Sequence, residues 1–335
     1  MLRLLTPFRL VLAALAVAAA ALAVWAIPTD SYIFLPNRAH EVAPLVDVEG
    51  GRDPTEGGIY FVDVLVRKAT LIERIWPDVR EGASVVPADS VRPPGISDEE
   101  RRRAELAEMR RSQEVAAAVA LRELGYDVVA NPSGARIEFV DPAAPAAGEL
   151  QSGDIVVRAA GRPVRVPGEL RRLVMARGIG DTIALQVRRD GRVRAVSVRT
   201  MRGSEGRPVI GVIVSQAANI RLPVDVEIDT GGIGGPSAGL AFALDLLEEL
   251  GRDVDRGNRV AVTGTIELDG SVGEIGGVKQ KVVGVQRAGI RVFIVPAGEN
   301  AREARQHAGD VRIVAVETFQ QALRALATLP RNAQD

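Results

Sequence analysis

The sequence predicts an α+β protein built from more than one domain, and three observations lead to this fold class. The chain has 335 residues, which exceeds the size of an average single domain. Apolar residues make up 47% of it and the formal net charge is −1, as is typical of globular domains with a substantial core. The pattern also changes along the chain, from an apolar start to a block of short strands and then to strands alternating with helices.

The composition argues against several classes of function. With no basic excess and few aromatic residues, the chain is not expected to bind nucleic acid. It contains no cysteine, which removes disulfides, thiolate nucleophiles and thiolate zinc sites. Its two histidines, His40 and His307, are too few for an ordinary histidine metal site and leave little material for a Ser-His-Asp triad. We therefore expect no metal and no cofactor.

The N-terminus carries an uncharged run from Leu10 to Ile27, preceded by Arg3 and Arg9. This length just reaches across the hydrocarbon core, and the basic flank orients the N-terminus to the cytoplasm. The sequence predicts a single-pass transmembrane anchor over residues 1–27, which contacts the lipid bilayer through residues 10–27. The alternative is a cleaved signal peptide, because half of the run is alanine. Either way, the body of the protein lies outside the cytoplasm.

Residues 28–125 are predicted to form a linker region with one strand and one long helix. Residues 28–58 are rich in turn-forming residues, whereas Ile59–Val66 has the composition of a strand. From Ser97 to Leu124, apolar residues fall near helical spacing. In one interpretation the strand completes the sheet of the last domain, and the block that follows is an insertion.

Short strands separated by turns fill residues 126–201. Asp190-Gly191 predicts a hairpin between Thr182–Arg188 and Ala195–Arg199. Three further motifs carry a resemblance to the PDZ domains attached to bacterial proteases: Asp141-Pro142-Ala143-Ala144, Leu150-Gln151-Ser152-Gly153-Asp154-Ile155-Val156 and Gly161-Arg162-Pro163-Val164.

The PDZ resemblance implies a β-barrel-like domain over residues 126–201 that takes peptide ends as partners. Such domains bind an extended peptide as an added strand. The loop that binds the peptide carboxylate is expected near Ser133–Ile137, which departs from the usual glycine-rich form. Arg136 in this stretch either meets a carboxylate or is an exposed strand arginine.

The last block, residues 202–335, contains a glycine-rich loop that leads into a helix at Pro236. Ser237 lies where this helix begins, and free backbone N–H groups at a helix N-terminus stabilise a developing anion. Pro236 has no N–H, so the donors are expected from Ser237 itself and a neighbouring glycine, which makes Gly234 and Gly235 supporting residues. Taken alone, the loop is equally consistent with a tight turn whose serine caps the helix.

Lysine is scarce in this chain, and its positions are informative. The chain has only three lysines, and Lys279 and Lys281 are two of them. One member of this pair is a candidate for a catalytic base. Arginine cannot lose its proton in a protein, whereas a buried lysine can become a neutral amine. Because residues two apart lie on different faces of a helix, only one of the pair can point inward. A serine and a potential base lysine together indicate nucleophilic catalysis.

Taken together, the two motifs resemble the proteolytic domain of Lon proteases (peptidase family S16), which has the ribosomal protein S5 domain 2-like fold. The resemblance spans about Val224 to Pro296 and includes Thr263-Gly264-Thr265-Ile266. It implies that Ser237 is the nucleophile, that Lys281 is the general base of a Ser-Lys dyad, and that Thr263 orients the lysine. The family often has acidic residues where Gly234 and Thr265 stand, but neither departure removes the dyad.

The whole chain resembles a bacterial family of membrane-anchored, PDZ-containing Lon-like proteases. This resemblance implies an ATP-independent serine endopeptidase at the cell membrane that hydrolyses exported or misfolded polypeptides. The printed sequence contains no G-x-x-x-x-G-K-[ST], the motif that binds nucleotide phosphates. Lon-type domains commonly form hexameric rings, so a homo-oligomer is a further expectation.

Two other functions remain open at this stage. A catalytically inactive, membrane-tethered scaffold would keep the same domains and bind peptides without cleaving them. Small-molecule kinases of the galactokinase type have a related fold and a glycine-rich phosphate loop, and residues 230–239 can be aligned with it. Such kinases need no lysine at position 281, no anchor and no PDZ domain.

Overall fold

The computed structural model describes residues 11–12, 14–16, 27–52, 57–91, 98–203 and 206–332. Most of the predicted anchor, residues 10–27, lies outside this part of the chain. Within the part described, no helix is long and apolar enough to cross a membrane.

One mixed sheet unites the two ends of the chain. The strand Gly58–Thr70 (β3) pairs in parallel with Arg259–Val262 (β14) and antiparallel with Pro28–Glu41 (β1). The N-terminal strands therefore belong to the same sheet as the C-terminal block. In spatial order the described strands of this sheet are β18 (Arg312–Val316), β17 (Val292–Pro296), β14, β3, β1 and β4 (Ser84–Pro87).

The long strand β1 differs from the turn-rich segment that the sequence predicts there. Tyr32 and Ile33 are buried within it, and β1 is hydrogen-bonded to β3 on one side and to β4 on the other. The register of β1 against β3 shifts between Pro36, which has no N–H to donate, and Ala39. Tertiary pairing thus overrides a turn-like local composition.

Helices cover both faces of this sheet. Gly239–Glu249 (α5) is buried almost all round, as an apolar core helix should be, and Asp98–Glu123 (α3) packs along it. Val278–Arg287 (α6) packs against β1 and β3. The other described helices are α1 (Leu71–Ile75), α2 (Ala88–Val91), α4 (Pro167–Met175), α7 (Glu299–His307), α8 (Phe319–Ala327) and single 3-10 turns at Ala43–Leu45, Pro77–Val79 and Pro145–Gly148.

A second sheet with its own apolar core corresponds to the PDZ-like segment. The predicted hairpin is present, with both Asp190 and Gly191 at positive φ, as its two-residue turn requires. Helix α4 packs on this sheet. Its described strands, in spatial order, are β12 (Val212–Arg221), β5 (Val129–Val140), β6 (Ile155–Ala159), β8 (Thr182–Arg189) and β9 (Arg192–Arg199), with β7 (Arg162–Pro163) beside β6.

The predicted carboxylate-binding loop near Ser133–Ile137 is wrong. These residues lie within β5, where Ala135 and Arg136 pair with β12 on one side and with β6 on the other. Neither side of β5 is free to accept a peptide there.

The described residues also form three short antiparallel pairs of strands outside the two larger sheets. They are β10 (Met201–Arg202) with β11 (Pro208–Val209), β13 (Val226–Ile228) with β2 (Val46–Val48), and β15 (Thr265–Ile266) with β16 (Val272–Gly273).

Candidate active site

Ser237 lies two residues before the first residue of α5, half-buried, in a loop fixed from two sides. Its carbonyl accepts hydrogen bonds from the Gly264 N–H at 2.9 Å and from the Thr263 hydroxyl at 3.1 Å. Ser112 of α3 donates its hydroxyl to the Pro236 carbonyl at 3.0 Å. The loop is therefore held against β14 and α3, with the Ser237 hydroxyl directed to α6.

Lys281 is brought to Ser237 by the first turn of α6. Its Nζ lies 2.8 Å from Ser237 Oγ, and its side chain is only 2% exposed. The helix begins after Gly277, which has a φ of 70° and passes so close to β3 that an added Cβ would lie 2.8 Å from Val64. Glycine is needed there because it tolerates this conformation and leaves the space that lets α6 approach the sheet.

The environment of Lys281 favours a neutral amine. Burial lowers the pKa of Lys281 to about 7, and the negative charge of Asp63 opposes this shift. A lysine with a pKa near neutrality can take a proton from a hydroxyl, which an ordinary surface lysine cannot do at that pH.

Thr263 completes the contacts of the lysine. It is 1% exposed, and its hydroxyl accepts a hydrogen bond from Lys281 Nζ at 2.9 Å while donating to the Ser237 carbonyl. Thr263 follows directly after β14, so the central sheet sets its position. The hydroxyl thus links the lysine to the backbone of the serine loop.

The neighbouring lysine points elsewhere. Lys279 Nζ donates to the carbonyl of Ala83 at 3.1 Å. As the spacing predicts, only Lys281 faces Ser237.

A group of three polar residues beside the site was not predicted from the sequence. Asp63 on β3 accepts a hydrogen bond from Asn37 on β1 at 3.0 Å and lies 2.9 Å from His40 on β1. Burial by itself raises the pKa of the Asp63 carboxyl. The hydrogen bonds with His40 and Asn37 and the charge of His40 together lower this pKa by more, so the net shift is downward. The signal in the sequence was an acidic residue inside the apolar run Ile59–Val66, although its partners are set only by pairing of β1 with β3.

The two glycines before Pro236 have different roles. The N–H of Gly235 donates to the carbonyl of Glu105 on α3 at 2.8 Å. This N–H is therefore not available to an oxyanion, contrary to what the sequence predicts. Among the described residues, the N–H groups of Gly234 and Ser237 have no acceptor. Gly234 has no room for a side chain, since an added Cβ would lie 2.8 Å from Glu105. Packing of α3 on the loop consumes one predicted donor and leaves the other two.

One cluster of carboxylates lies at the other end of α5. Oxygen atoms of Glu248, Asp253 and Asp255 come within 4.8 Å of one another. Each of the three already accepts at least one backbone N–H, for example Gly257 on Asp255. These hydrogen bonds account for the cluster as a set of turn-stabilising contacts.

Two regions of the chain match known protein families. Residues 215–328 match the Lon protease (S16) C-terminal proteolytic domain, and residues 122–200 match the PDZ domain. Lon protease 2 of Bacillus subtilis (strain 168) is 34% identical over 116 residues, which are 35% of this chain and 20% of that protein. The Lon protease of Ureaplasma parvum serovar 3 is 38% identical over 88 residues, 26% of this chain and 11% of that protein.

The chain thus spans a fifth or less of the length of these two relatives. A solved PDZ domain of an SdrC-like protein from Listeria monocytogenes is 20% identical, covers 24% of this chain and 87% of that one, and has a TM-score of 0.24. The chain thus matches a Lon-type proteolytic domain over residues 215–328 and a PDZ domain over residues 122–200, and both regions contain helices and strands.

Proposed function

We propose that this protein is a serine endopeptidase in which Ser237 and Lys281 form the catalytic dyad. One observation carries the proposal: the buried Nζ of Lys281 lies 2.8 Å from Ser237 Oγ. A base must be within hydrogen-bond reach of the proton that it removes and have a pKa near the working pH, and Lys281 meets both conditions.

The reaction follows from the positions of these groups. Neutral Lys281 takes the hydroxyl proton while Ser237 Oγ bonds to the peptide carbonyl carbon, giving a tetrahedral intermediate with a negative oxygen. The N–H groups of Ser237 and Gly234, which have no acceptor among the described residues, are the donors for that oxygen. As the intermediate collapses, the C–N bond breaks and Lys281 returns the proton to the leaving amine. Water, deprotonated by Lys281, then cleaves the acyl-enzyme and regenerates Ser237.

Three finer features belong to the same proposal. The protein is attached to the cell membrane through residues 10–27, with the catalytic domain outside the cytoplasm, which the uncharged run and the flanking arginines support. It works without ATP on exported or misfolded polypeptides, as its resemblance to PDZ-containing Lon-like proteases implies. It forms a homo-oligomeric ring, as Lon-type domains commonly do.

The test is cleavage of an unfolded protein by the full chain in detergent, with and without ATP. Wild type should cleave equally under both conditions, while Ser237→Ala and Lys281→Ala should lose at least ~100-fold in rate. Lys279→Ala is the matched control and should keep its rate. Absence of cleavage by wild type would instead favour the peptide-binding scaffold, and a requirement for ATP would refute ATP independence.

A further inference from the structure

Three apolar side chains are exposed close together on the short element that follows β3. This element consists of α1 and the 3-10 turn after it, and it carries Ile75, 65% exposed, Trp76, 67% exposed, and Val79, also exposed. The three residues fall within one compact turn, in which the Val79 N–H donates to the Trp76 carbonyl at 3.1 Å. A concentration of large apolar side chains at a protein surface indicates a site that something else covers.

The element that carries these side chains is fixed to the rest of the fold. Glu73 of α1 is buried and accepts two hydrogen bonds from the Arg67 guanidinium, at 2.9 and 2.6 Å, and one from Arg80 Nε at 3.3 Å. Ala69 before the element and Ala83 after it are buried in one small apolar core. The apolar side chains are therefore held outward by a firm support, and their exposure is a property of the fold.

The same element lies where the uncharged N-terminal run ends. The Leu71 N–H, at the start of α1, donates to the carbonyl of Ile27 at 3.0 Å, and Pro28 lies opposite Thr70. Because an α-helix rises about 1.5 Å per residue, Ile75 lies within about 6 Å of Leu71 along the helix axis. The polar interface on each side of a hydrocarbon core is roughly 5–8 Å thick, so a bilayer surface at Ile27 comes within reach of Ile75.

The chemistry of the element fits the interface of a bilayer. Tryptophan is enriched at this level of the membrane, where its ring meets both acyl chains and water. Arg74 is exposed beside Ile75 and can donate to lipid phosphates. Asp78 is exposed in the same turn, and its charge would be costly in the hydrocarbon core, so the contact must be shallow.

The size of the patch favours lipid over a second copy of the chain. A stable interface between proteins involves roughly 20–30 residues from each partner. Ile75, Trp76 and Val79 are far fewer, whereas a few apolar side chains suffice for a shallow contact that supplements another membrane attachment.

We propose that Ile75, Trp76 and Val79 dock into the interface of the membrane at the point where Ile27 leaves it. This inference rests on the membrane attachment through residues 10–27 that forms part of the proposed function. A single anchor leaves the body of the protein free to rotate about the chain at Ile27, whereas a second contact beside it fixes one orientation. The end of the central sheet where β1 begins and β3 ends then faces the bilayer.

The two tryptophans of the chain separate the two membrane contacts. Trp25→Phe keeps only Trp76, and Trp76→Phe keeps only Trp25, which lies in the predicted anchor. Each full chain is reconstituted into vesicles of phosphatidylethanolamine and phosphatidylglycerol, with or without bromine near the headgroup end of the acyl chains. Bromine quenches the emission of a tryptophan that reaches it. We expect at least ~2-fold quenching of Trp76, as for a ring seated in the interface.

Charged substitutions test whether the apolar side chains cause this contact. In the chain that keeps only Trp76, the double change Ile75→Asp and Val79→Asp should abolish the quenching, because carboxylates are expelled from the acyl-chain region. The matched control is Ile179→Asp with Val193→Asp, at two exposed apolar positions of the PDZ-like segment, and it should retain the quenching. Thermal unfolding checks that each variant is folded. Quenching that persists in the first double variant would overturn the inference.

The outcomes also separate this inference from the proposed anchor. Quenching of Trp25 without quenching of Trp76 would overturn the inference and leave the attachment through residues 10–27 intact. Quenching of Trp76 alone would support docking and refute the anchor, and absence of quenching at both would refute both. If Trp76 emission shifts to shorter wavelength with rising protein concentration but is not quenched, a second copy covers the patch and the inference is overturned.

Discussion

At the residue scale, the proposed catalysis depends on Lys281, whose charged form is destabilised by burial. Lys281 has a hydroxyl on each side, those of Ser237 and Thr263, and no carboxylate within hydrogen-bond distance among the described residues. Desolvation therefore dominates and lowers its pKa to about 7. In the proposed mechanism arginine, which supplies positive charge nearly everywhere else in the chain, could not take this role because it keeps its proton.

Replacement of Lys281 by arginine tests the need for a neutral amine. Lys281→Arg should be inactive, with a loss of at least ~100-fold in kcat/KM, because the guanidinium remains protonated. Lys279→Arg is the control and should keep wild-type activity, since the hydrogen-bond acceptor of Lys279 Nζ among the described residues is the Ala83 carbonyl and not Ser237. The measurement is peptide hydrolysis by both variants at one pH, with thermal unfolding to check the fold. An active Lys281→Arg would rule out proton abstraction by residue 281.

The pH profile tests the link between Asp63 and Lys281. Activity should rise with pH through about 7, as Lys281 loses its proton. The charge of Asp63 raises the pKa of Lys281, so Asp63→Asn should move this rise to lower pH. We expect a lower pH at the midpoint of the rise in kcat/KM, while Ser237 stays reactive. A purely structural role for Asp63 would lower activity at every pH without moving the midpoint.

At the element scale, α5 carries a second buried ionisable group. Asp245 is 1% exposed, and one of its carboxyl oxygens has no hydrogen-bond partner among the described residues. Burial raises its pKa to about 8, with smaller contributions from the charges of Glu249, Glu248, Asp255 and Glu41. Asp245 is therefore protonated at neutral pH in the folded protein.

This carboxyl predicts how stability changes with pH. The unfolded chain releases the Asp245 proton near pH 4 and the folded chain only near 8, so its contribution is complete below pH 4 and is lost as the pH rises toward 8. The slope from this group is at most about 1.4 kcal/mol per pH unit. Asp245→Asn should flatten the decline in the free energy of unfolding between pH 5 and 8, measured by urea denaturation. The exposed Asp310→Asn is the control, and an equal slope in wild type and Asp245→Asn would contradict the assignment.

The elements also differ in how far the sequence predicted them. The Ser237 loop and the Lys281 helix depend on short motifs with local geometry, and both were predicted. Strand β1 and the contact of Asp63 with His40 depend on pairing between separate segments of the chain, since His40 of β1 lies opposite Phe61 of β3. Hydrophobic periodicity does not report such pairing. The same limit applies to Gly235, whose N–H is occupied only because α3 packs on the loop.

At the scale of the whole molecule, the segment resembling a PDZ domain is inserted between parts of one catalytic sheet. Along the chain, β12 leads from the PDZ-like sheet into the C-terminal block. The PDZ-like segment also contacts that block at the start of α4, where the N–H of Gly168 donates to Glu267 Oε1 at 2.8 Å. Glu267 is buried, and burial raises its pKa to about 7. Its acceptor oxygen thus holds α4 to the turn that follows β15.

Removal of this acceptor should loosen the connection between the two domains. In Glu267→Ala, hydrogen exchange at the Gly168 amide should accelerate by about tenfold, since a lost hydrogen bond of this kind costs on the order of 1–3 kcal/mol. Glu267→Gln keeps a carbonyl oxygen and should exchange like wild type. If both variants exchange at the wild-type rate, this contact does not hold α4 in place.

The central claim is that Ser237 becomes covalently acylated with the help of Lys281, and the most direct test is mass spectrometry of the intact protein after exposure to a serine-reactive acylating probe. The account predicts addition of one probe per chain, located on Ser237, absent in Ser237→Ala, greatly slowed in Lys281→Met and unchanged in Lys279→Met. Labelling of Lys281→Met at the wild-type rate, or of a residue other than Ser237, would contradict it.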